Sequence, residues 1–183
     1  MADYQDIRGL RVKYLSADPS NLTAGEVWYN STTSTLKSLV KIAAWASSSP
    51  LGTARYDSAG AGIQTAGLAF GGKSTSGPPS SASTEEYNGR GWSAGGNMNL
   101  ARQQLIGFGT QTAAVGASGY SEGTPSPGYK TECEEYDGTS WSEENNSPLA
   151  SFDGGGLGTL TAGLIFGGRT PSPVNTTAEY DGT

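Results

Sequence analysis

Ala66-Gly67-Leu68-Ala69-Phe70-Gly71-Gly72 is written again, nearly unchanged, as Ala162-Gly163-Leu164-Ile165-Phe166-Gly167-Gly168. A looser copy, Ala113-Ala114-Val115-Gly116-Ala117-Ser118-Gly119, lies between them. Each copy leads to a second block: Glu86-Tyr87-Asn88-Gly89, then Glu135-Tyr136-Asp137-Gly138, then Glu179-Tyr180-Asp181-Gly182. Self-similarity of this kind marks an array of one supersecondary unit, which buries its apolar face only against its neighbours. The register is tight. Trp45, Trp92 and Trp141 stand 47 and 49 residues apart; ten positions after each comes Arg55, Arg102 or Ser151, and seven later Gly62, Gly109 or Gly158.

What varies is the stretch after the diglycine. Ser74 to Ser83, Tyr120 to Thr131 and Thr170 to Thr177 are Ser, Thr, Pro and Gly runs of unequal length. That composition belongs to surface loops, and unequal length in matched repeats marks the face that tolerates change. Between the loops the pattern is that of strands. Gln64 to Phe70 reads as a buried strand that another backbone approaches closely, Ser83 to Tyr87 alternates, and Gln103 to Phe108 reads as a further strand. Asn88-Gly89, Asp137-Gly138 and Asp181-Gly182 predict type I′ hairpin turns, which require positive φ at both central residues. About four short strands per unit follow, the size of a propeller blade.

Leu, Ile, Val and Phe make up only 27 of 183 residues, a share at which composition begins to read as disordered. The net charge of −6 is modest, however, and four Trp and nine Tyr supply large buried areas, so the composition is that of a glycine-rich β-protein with thin cores. Residues 1–44 carry five Lys or Arg against four acids, which leaves −7 on the repeats. An acidic array argues against nucleic acid as a partner, because phosphate binding needs clustered cations. The absence of any apolar run of membrane-spanning length and of a signal peptide leads to the expectation of a soluble chain made in the cytoplasm, with no membrane partner.

A diglycine ending one strand, a variable loop, then a Tyr and a Trp across a turn resembles a kelch repeat. The residues are Gly71-Gly72 with Tyr87 and Trp92, then Tyr136 and Trp141, then Gly167-Gly168 with Tyr180. The middle copy departs from the pattern with Ser118-Gly119. The resemblance implies that the diglycine lets strands pack tightly and that Trp45, Trp92, Trp141, Tyr87, Tyr136 and Tyr180 form the repeat core between blades. The fold class expected is all-β: a short N-terminal hairpin module over residues 1–44, then about three kelch-like four-stranded repeats over 45–183, the last truncated. Because a propeller needs roughly four to eight blades, the array is an incomplete one, and the expectation is a longer parent protein, with several chains completing the structure together as the alternative.

In the first module, Ile7 to Leu15 alternates apolar and mostly basic residues, as a half-buried strand does, and Ala17 to Asn21 reads as a turn. Ala24 to Lys37 reads as an aromatic hairpin, while Leu36, Leu39, Val40 and Ala43 also fit helical spacing up to Trp45. The segment Gly25-Glu26-Val27-Trp28-Tyr29-Asn30-Ser31-Thr32-Thr33 resembles a module of tailed-phage virion proteins, fibre and appendage subunits above all. The resemblance implies a tail fibre in the virion, homo-oligomeric with a trimer favoured, whose N-terminal part attaches to other virion proteins. Arg8, Arg11, Lys13, Trp28 and Tyr29 are the candidate attachment residues. A capsid head fibre or decoration subunit is the alternative, and a glycan-active enzyme on a propeller the second.

The chain has no histidine, which removes the commonest general base and most zinc or copper sites. No cofactor, no metal and no catalytic residue is expected. Glu85-Glu86, Glu134-Glu135 and Glu143-Glu144 are adjacent on strands and so point to opposite faces; they read as solvated charges rather than a glycosidase pair. Gly67-x4-Gly72-Lys73-Ser74 satisfies the spacing of a phosphate-binding loop, but no helix-forming sequence follows, and repeat glycines explain it better. Cys133 reads as a plain strand residue. If the loops touch a host-surface glycan or another partner, Lys73, Tyr120, Tyr129, Lys130 and Arg169 are the candidates.

Overall fold

The structure, a computed structural model, describes residues 12–21, 26–39, 45–74, 79–123 and 128–182. Every regular element among them is a β-strand, none of the sheets closes into a barrel, and none of the described residues is α-helical. The chain divides into two compact units, Met1–Ser47 and Ser48–Thr183.

The first unit holds β1 (Lys13–Leu15), β2 (Val27–Asn30) and β3 (Thr35–Ser38). β1 runs parallel to β2, and β2 antiparallel to β3. Of the strand expected at Ile7 to Leu15 only β1 is seen; Arg8 and Arg11 lie outside the described residues. Leu36 sits in β3, so the helical spacing from that residue is overridden by pairing with Tyr29. Asp18 organises the unit. Its carboxylate accepts from Trp28 Nε1 at 2.9 Å, Asn30 Nδ2 at 2.8 Å and Lys37 Nζ at 2.6 Å. These donors hold the Asp18 carboxyl well below the usual carboxylate range, the Lys37 bond contributing most.

The second unit is built from three antiparallel sheets. Sheet I comprises β4 (Ala59–Ile63), β5 (Ala66–Phe70), β6 (Thr84–Tyr87) and β7 (Trp92–Ala94), each strand paired with the next. Sheet II begins with β8 (Ile106–Thr110) and β9 (Ala113–Ala117). A small hairpin, β10 (Tyr120–Ser121) and β11 (Gly128–Tyr129), follows, and β12 (Cys133–Tyr136) and β13 (Trp141–Glu144) complete the sheet in the order β13-β12-β9-β8. Sheet III has β14 (Gly155–Thr159), β15 (Ala162–Phe166) and β16 (Thr177–Tyr180). The four-strand meander expected from the repeat is thus realised twice, and three of its strands a third time.

Matched registers prove the equivalence. Ala59 faces Phe70, Ile106 faces Ala117 and Gly155 faces Phe166; Tyr87 faces Trp92 and Tyr136 faces Trp141. The first strands β4, β8 and β14 lie side by side, so consecutive sheets stack face on face. Two cores result. Between sheets I and II lie Leu68, Phe70, Leu105, Tyr136 and Trp141; between II and III lie Ile106, Phe108, Val115, Cys133 and Ile165. Glycine permits the approach: a Cβ on Gly107 would meet the Phe70 ring at 2.7 Å and one on Gly163 the Phe108 ring at 2.3 Å.

The diglycine keeps one backbone shape in all copies. Gly71 and Gly72 have φ of 65° and 92°, Gly167 and Gly168 66° and 91°, and Ser118 and Gly119 57° and 99°. A buried serine therefore holds the left-handed conformation in the middle copy, and its Oγ donates to Leu149 O at 2.6 Å.

Three expectations need correction here. The Asn-Gly and Asp-Gly turns are not type I′: Gly89, Gly138 and Gly182 have positive φ, but Asn88, Asp137 and Asp181 do not. Instead the Asn88 and Asp137 side chains accept two backbone N–H groups each, from Arg90 and Gly91 and from Thr139 and Ser140. The strand expected from Gln103 starts at Ile106, because Gln104 takes a φ of 55° and breaks the run. Trp45 is fully exposed and falls in the first unit, so it is no part of a repeat core in this chain.

Candidate functional site

Each repeat makes a matched extra bridge beyond its sheet, joining the residue after Arg55, Arg102 or Ser151 to the residue after the diglycine position. Tyr56 pairs with Lys73, Gln103 with Tyr120, and Phe152 with Arg169. These bridges set six side chains at matched positions at the loop end of the sheets. Adjacent repeats are tied there by backbone bonds between the left-handed residues, Gln104 N to Asp57 O at 2.7 Å and Asp153 N to Gln104 O at 3.1 Å.

Four of the five loop residues singled out in the sequence converge on this end. Tyr129 stacks on Phe152 with ring centroids 5.2 Å apart and planes 6° from parallel; Tyr120 meets both rings edgewise or tilted. The Arg169 guanidinium carbon lies 4.5 Å from the centre of the same Phe152 ring. Arg169 is oriented by Asp153, at 3.0 Å from Nε and 2.7 Å from Nη2, and Gln104 Nε2 donates to the same carboxylate at 3.2 Å. Phe152 is buried, while Tyr129 and Arg169 are exposed. Lys73 belongs to a neighbouring polar knot: its Nζ donates to both Glu122 oxygens, at 3.0 and 3.1 Å, and Gln103 Nε2 donates to one of them at 3.0 Å. The Lys73 bond, then the Gln103 bond, holds the Glu122 carboxyl below its ordinary value, and the same pairing raises the Lys73 ammonium.

Lys130 does not join them. Expected as an exposed loop contact, it is buried, with its backbone N–H bonded to Gly119 O and its ammonium 3.9 Å from Glu132. Among the attachment candidates, Lys13 is exposed and pairs with Glu26 at 2.8 Å, and Tyr29 stacks on Tyr14 at 5.0 Å. Trp28 is buried and spends its indole N–H on Asp18, so its role is internal. Trp92 and Tyr87 are half-buried on the open face of sheet I, in contrast to Trp141 and Tyr136 between sheets.

Sequence reasoning missed the largest buried charges. Glu85 and Glu134, expected as solvated, are buried against Arg55 at 2.6 Å and Arg102 at 2.8 Å. Each arginine also reaches backbone carbonyls at the ends of the strands: Arg55 those of Gly71 and Ser83, Arg102 those of Gly116, Ser118 and Glu132. Each carboxylate accepts two backbone N–H groups of the preceding segment, Gly52 and Thr53 or Asn99 and Leu100. Their surroundings are those of structural clips. Glu86 and Glu135 take the neighbouring repeat's phenol, from Tyr136 and Tyr180, both at 2.5 Å. The Cys133 thiol is buried and pushed up to about 11 by desolvation, which keeps it protonated and inert. Gly67 lies within β5 and Lys73 is paired with Glu122, a geometry with no cradle for phosphate. Among the described residues no group of His, Cys, Asp or Glu is placed to hold a metal ion.

No family model matches the chain. No curated protein matches it. Among solved structures it is similar to one titled "Structure of YjhT", with a TM-score of 0.57 and 10% identity over 82% of this chain and 47% of that one. The chain therefore spans about half the length of that protein, and at this identity the likeness is one of fold alone.

Proposed function

We propose that this chain is a non-enzymatic structural subunit of a tailed-phage virion, of the tail-fibre kind. In this reading residues 1–44 attach it to the particle, and the stacked sheets are kelch-like propeller blades that carry the loop surface to a host-cell glycan. The cluster of Tyr129, Phe152 and Arg169 carries the proposal. A sugar ring lays its C–H face on an exposed aromatic, while a guanidinium held in place by Asp153 donates to hydroxyl or carboxylate groups at its rim. The virion half of the reading rests on the Gly25 to Thr33 sequence segment and on the glycine-rich repeats that follow it in the sequence.

A glycan array probed with the full chain tests the contact. Wild type is expected to retain a surface polysaccharide, and Tyr129→Ala and Arg169→Ala to lose about tenfold in affinity, or ~1.4 kcal/mol each, at unchanged thermal stability. Gold-labelled antibody against the chain is expected at the tail of the phage particle. Absence of label from particles contradicts the virion assignment, and label on the head alone favours the capsid-fibre alternative.

A further inference from the structure

We infer that the loop end takes an uncharged saccharide through two adjacent hydroxyl groups and disfavours a carboxylate-bearing one, an inference that rests on the glycan contact proposed above. The charges at this end point to it. The bridge residues, the left-handed residues beside them and the loops after the diglycine positions hold three cations, Lys73, Lys130 and Arg169, and four carboxylates, Asp57, Glu122, Glu132 and Asp153. Each cation is already matched to a carboxylate. Lys73 donates to both Glu122 oxygens, Lys130 is buried beside Glu132, and Arg169 is paired with Asp153.

What the Arg169 and Asp153 pair leaves over is a donor beside an acceptor. Asp153 Oδ2 receives Arg169 Nε at 3.0 Å, Arg169 Nη2 at 2.7 Å and Gln104 Nε2 at 3.2 Å. All three bonds fall on one oxygen. Among the described residues, Asp153 Oδ1 is therefore left without a donor and Arg169 Nη1 without an acceptor, and both side chains are exposed. A hydroxyl both donates and accepts, so two neighbouring sugar hydroxyls satisfy the pair, one donating to Oδ1 and the other accepting from Nη1. A carboxylate only accepts, and it reaches Nη1 by lying against Oδ1, like charge against like.

The aromatic platform beside the pair has the same character. Tyr120 and Tyr129 of the second repeat and Phe152 of the third supply ring faces and hydroxyls, and no charge. The Gln104 bond to Asp153 and the Tyr129 stack on Phe152 both join the second repeat to the third, so the site is assembled at a junction inside the array. Around it the repeats carry a net −7. That field opposes a polyanion within a Debye length, about 8 Å at physiological salt, and leaves an uncharged chain unaffected.

The test is a glycan array probed with the full 183-residue chain, on which each uronic-acid polysaccharide stands beside its carboxyl-reduced, uncharged form. The chain is expected to be retained on uncharged members and not on their acidic counterparts, with an affinity that changes by less than about twofold between about 0.05 and about 0.5 M sodium chloride. Asp153→Asn keeps the size of the side chain and removes its charge, and circular dichroism checks that the fold is kept. It is expected to lose about tenfold in affinity for the uncharged members and to gain retention on the acidic ones, which then meet Arg169 unopposed. Preferential retention of wild type on acidic members, with affinity falling as salt rises, would overturn the inference and leave the glycan contact standing. An Asp153→Asn variant that binds as wild type does would do the same. Retention on no glycan of either kind would remove the contact itself, and the inference with it.

Discussion

The phenol of Tyr136 in sheet II donates to the Glu86 carboxylate of sheet I at 2.5 Å, and Tyr180 repeats the bond to Glu135 one sheet further on. Burial first, then the Glu86 bond, raises the Tyr136 phenol to about 12. Because the folded-state value lies above the unfolded one near 10, the stabilisation is complete below pH ~10 and is lost as the pH rises through about 12. Tyr136→Phe is expected to cost about 1–3 kcal/mol in urea unfolding, since it leaves a partly buried carboxylate without its donor. Tyr87→Phe, whose hydroxyl meets the exposed Ser48 hydroxyl, is expected to cost less.

Removal of either half of the Arg102 and Glu134 clip should destabilise by about 3–5 kcal/mol, because the survivor is a buried charge without a counterion. The double variant Arg102→Ser with Glu134→Ala is expected to cost far less than the sum of the singles. The third repeat carries that combination already: Ser151 stands at the arginine position and Ala178 at the glutamate position. A denaturation double-mutant cycle that comes out additive would remove the clip from the account.

At the diglycine, Gly71→Ala is expected to cost more than about 2 kcal/mol, combining left-handed strain with a Cβ 2.7 Å from Leu105 and 2.8 Å from Arg102 O. Ser118→Ala should cost about 1–2 kcal/mol by keeping the strain and losing the bond to Leu149 O, whereas Ser118→Gly should fall within about 1 kcal/mol of wild type, relief of strain offsetting that loss. Melting temperatures of the three variants give the order directly.

Cys133 is expected to resist thiol reagents at pH 8 in the folded chain and to react at once in denaturant. Burial raises its folded pKa to about 11, so its stabilising share is intact below the unfolded value near 8.5 and fades as the pH climbs through 11. Rapid labelling of native protein would mean that the space between sheets II and III is open to solvent.

The array and its strands were legible in the sequence because the repeat fixes register independently of propensity. The loop end was legible too, since Lys73, Tyr120 and Arg169 each follow a diglycine position, although nothing in the chain told exposed Tyr129 from buried Lys130. The Arg–Glu clips were misread because adjacent carboxylates on a strand were both assigned to solvent. Alternation puts only one of each pair on each face: both faces of sheet II are covered by its neighbours, and on sheet I the Glu85 side is covered by Arg55 and the Gly52 and Thr53 backbone. A signal did exist: arginine and glutamate disappear together in the third repeat, as partners do. The Asp18 centre of the first unit left no such trace, its three donors lying 10 to 19 positions away in an unrepeated segment.

The most direct measurement of the stacking is a set of proton–proton NMR contacts between aromatic rings and glycine backbones across the two interfaces. The Phe70 ring should report the α-protons of Gly107 and Gly116, and the Phe108 ring those of Gly156 and Gly163, with comparable strength. Rings that report only residues of their own sheet, or one interface present and the other absent, would contradict an array whose sheets stack ring on glycine at both interfaces.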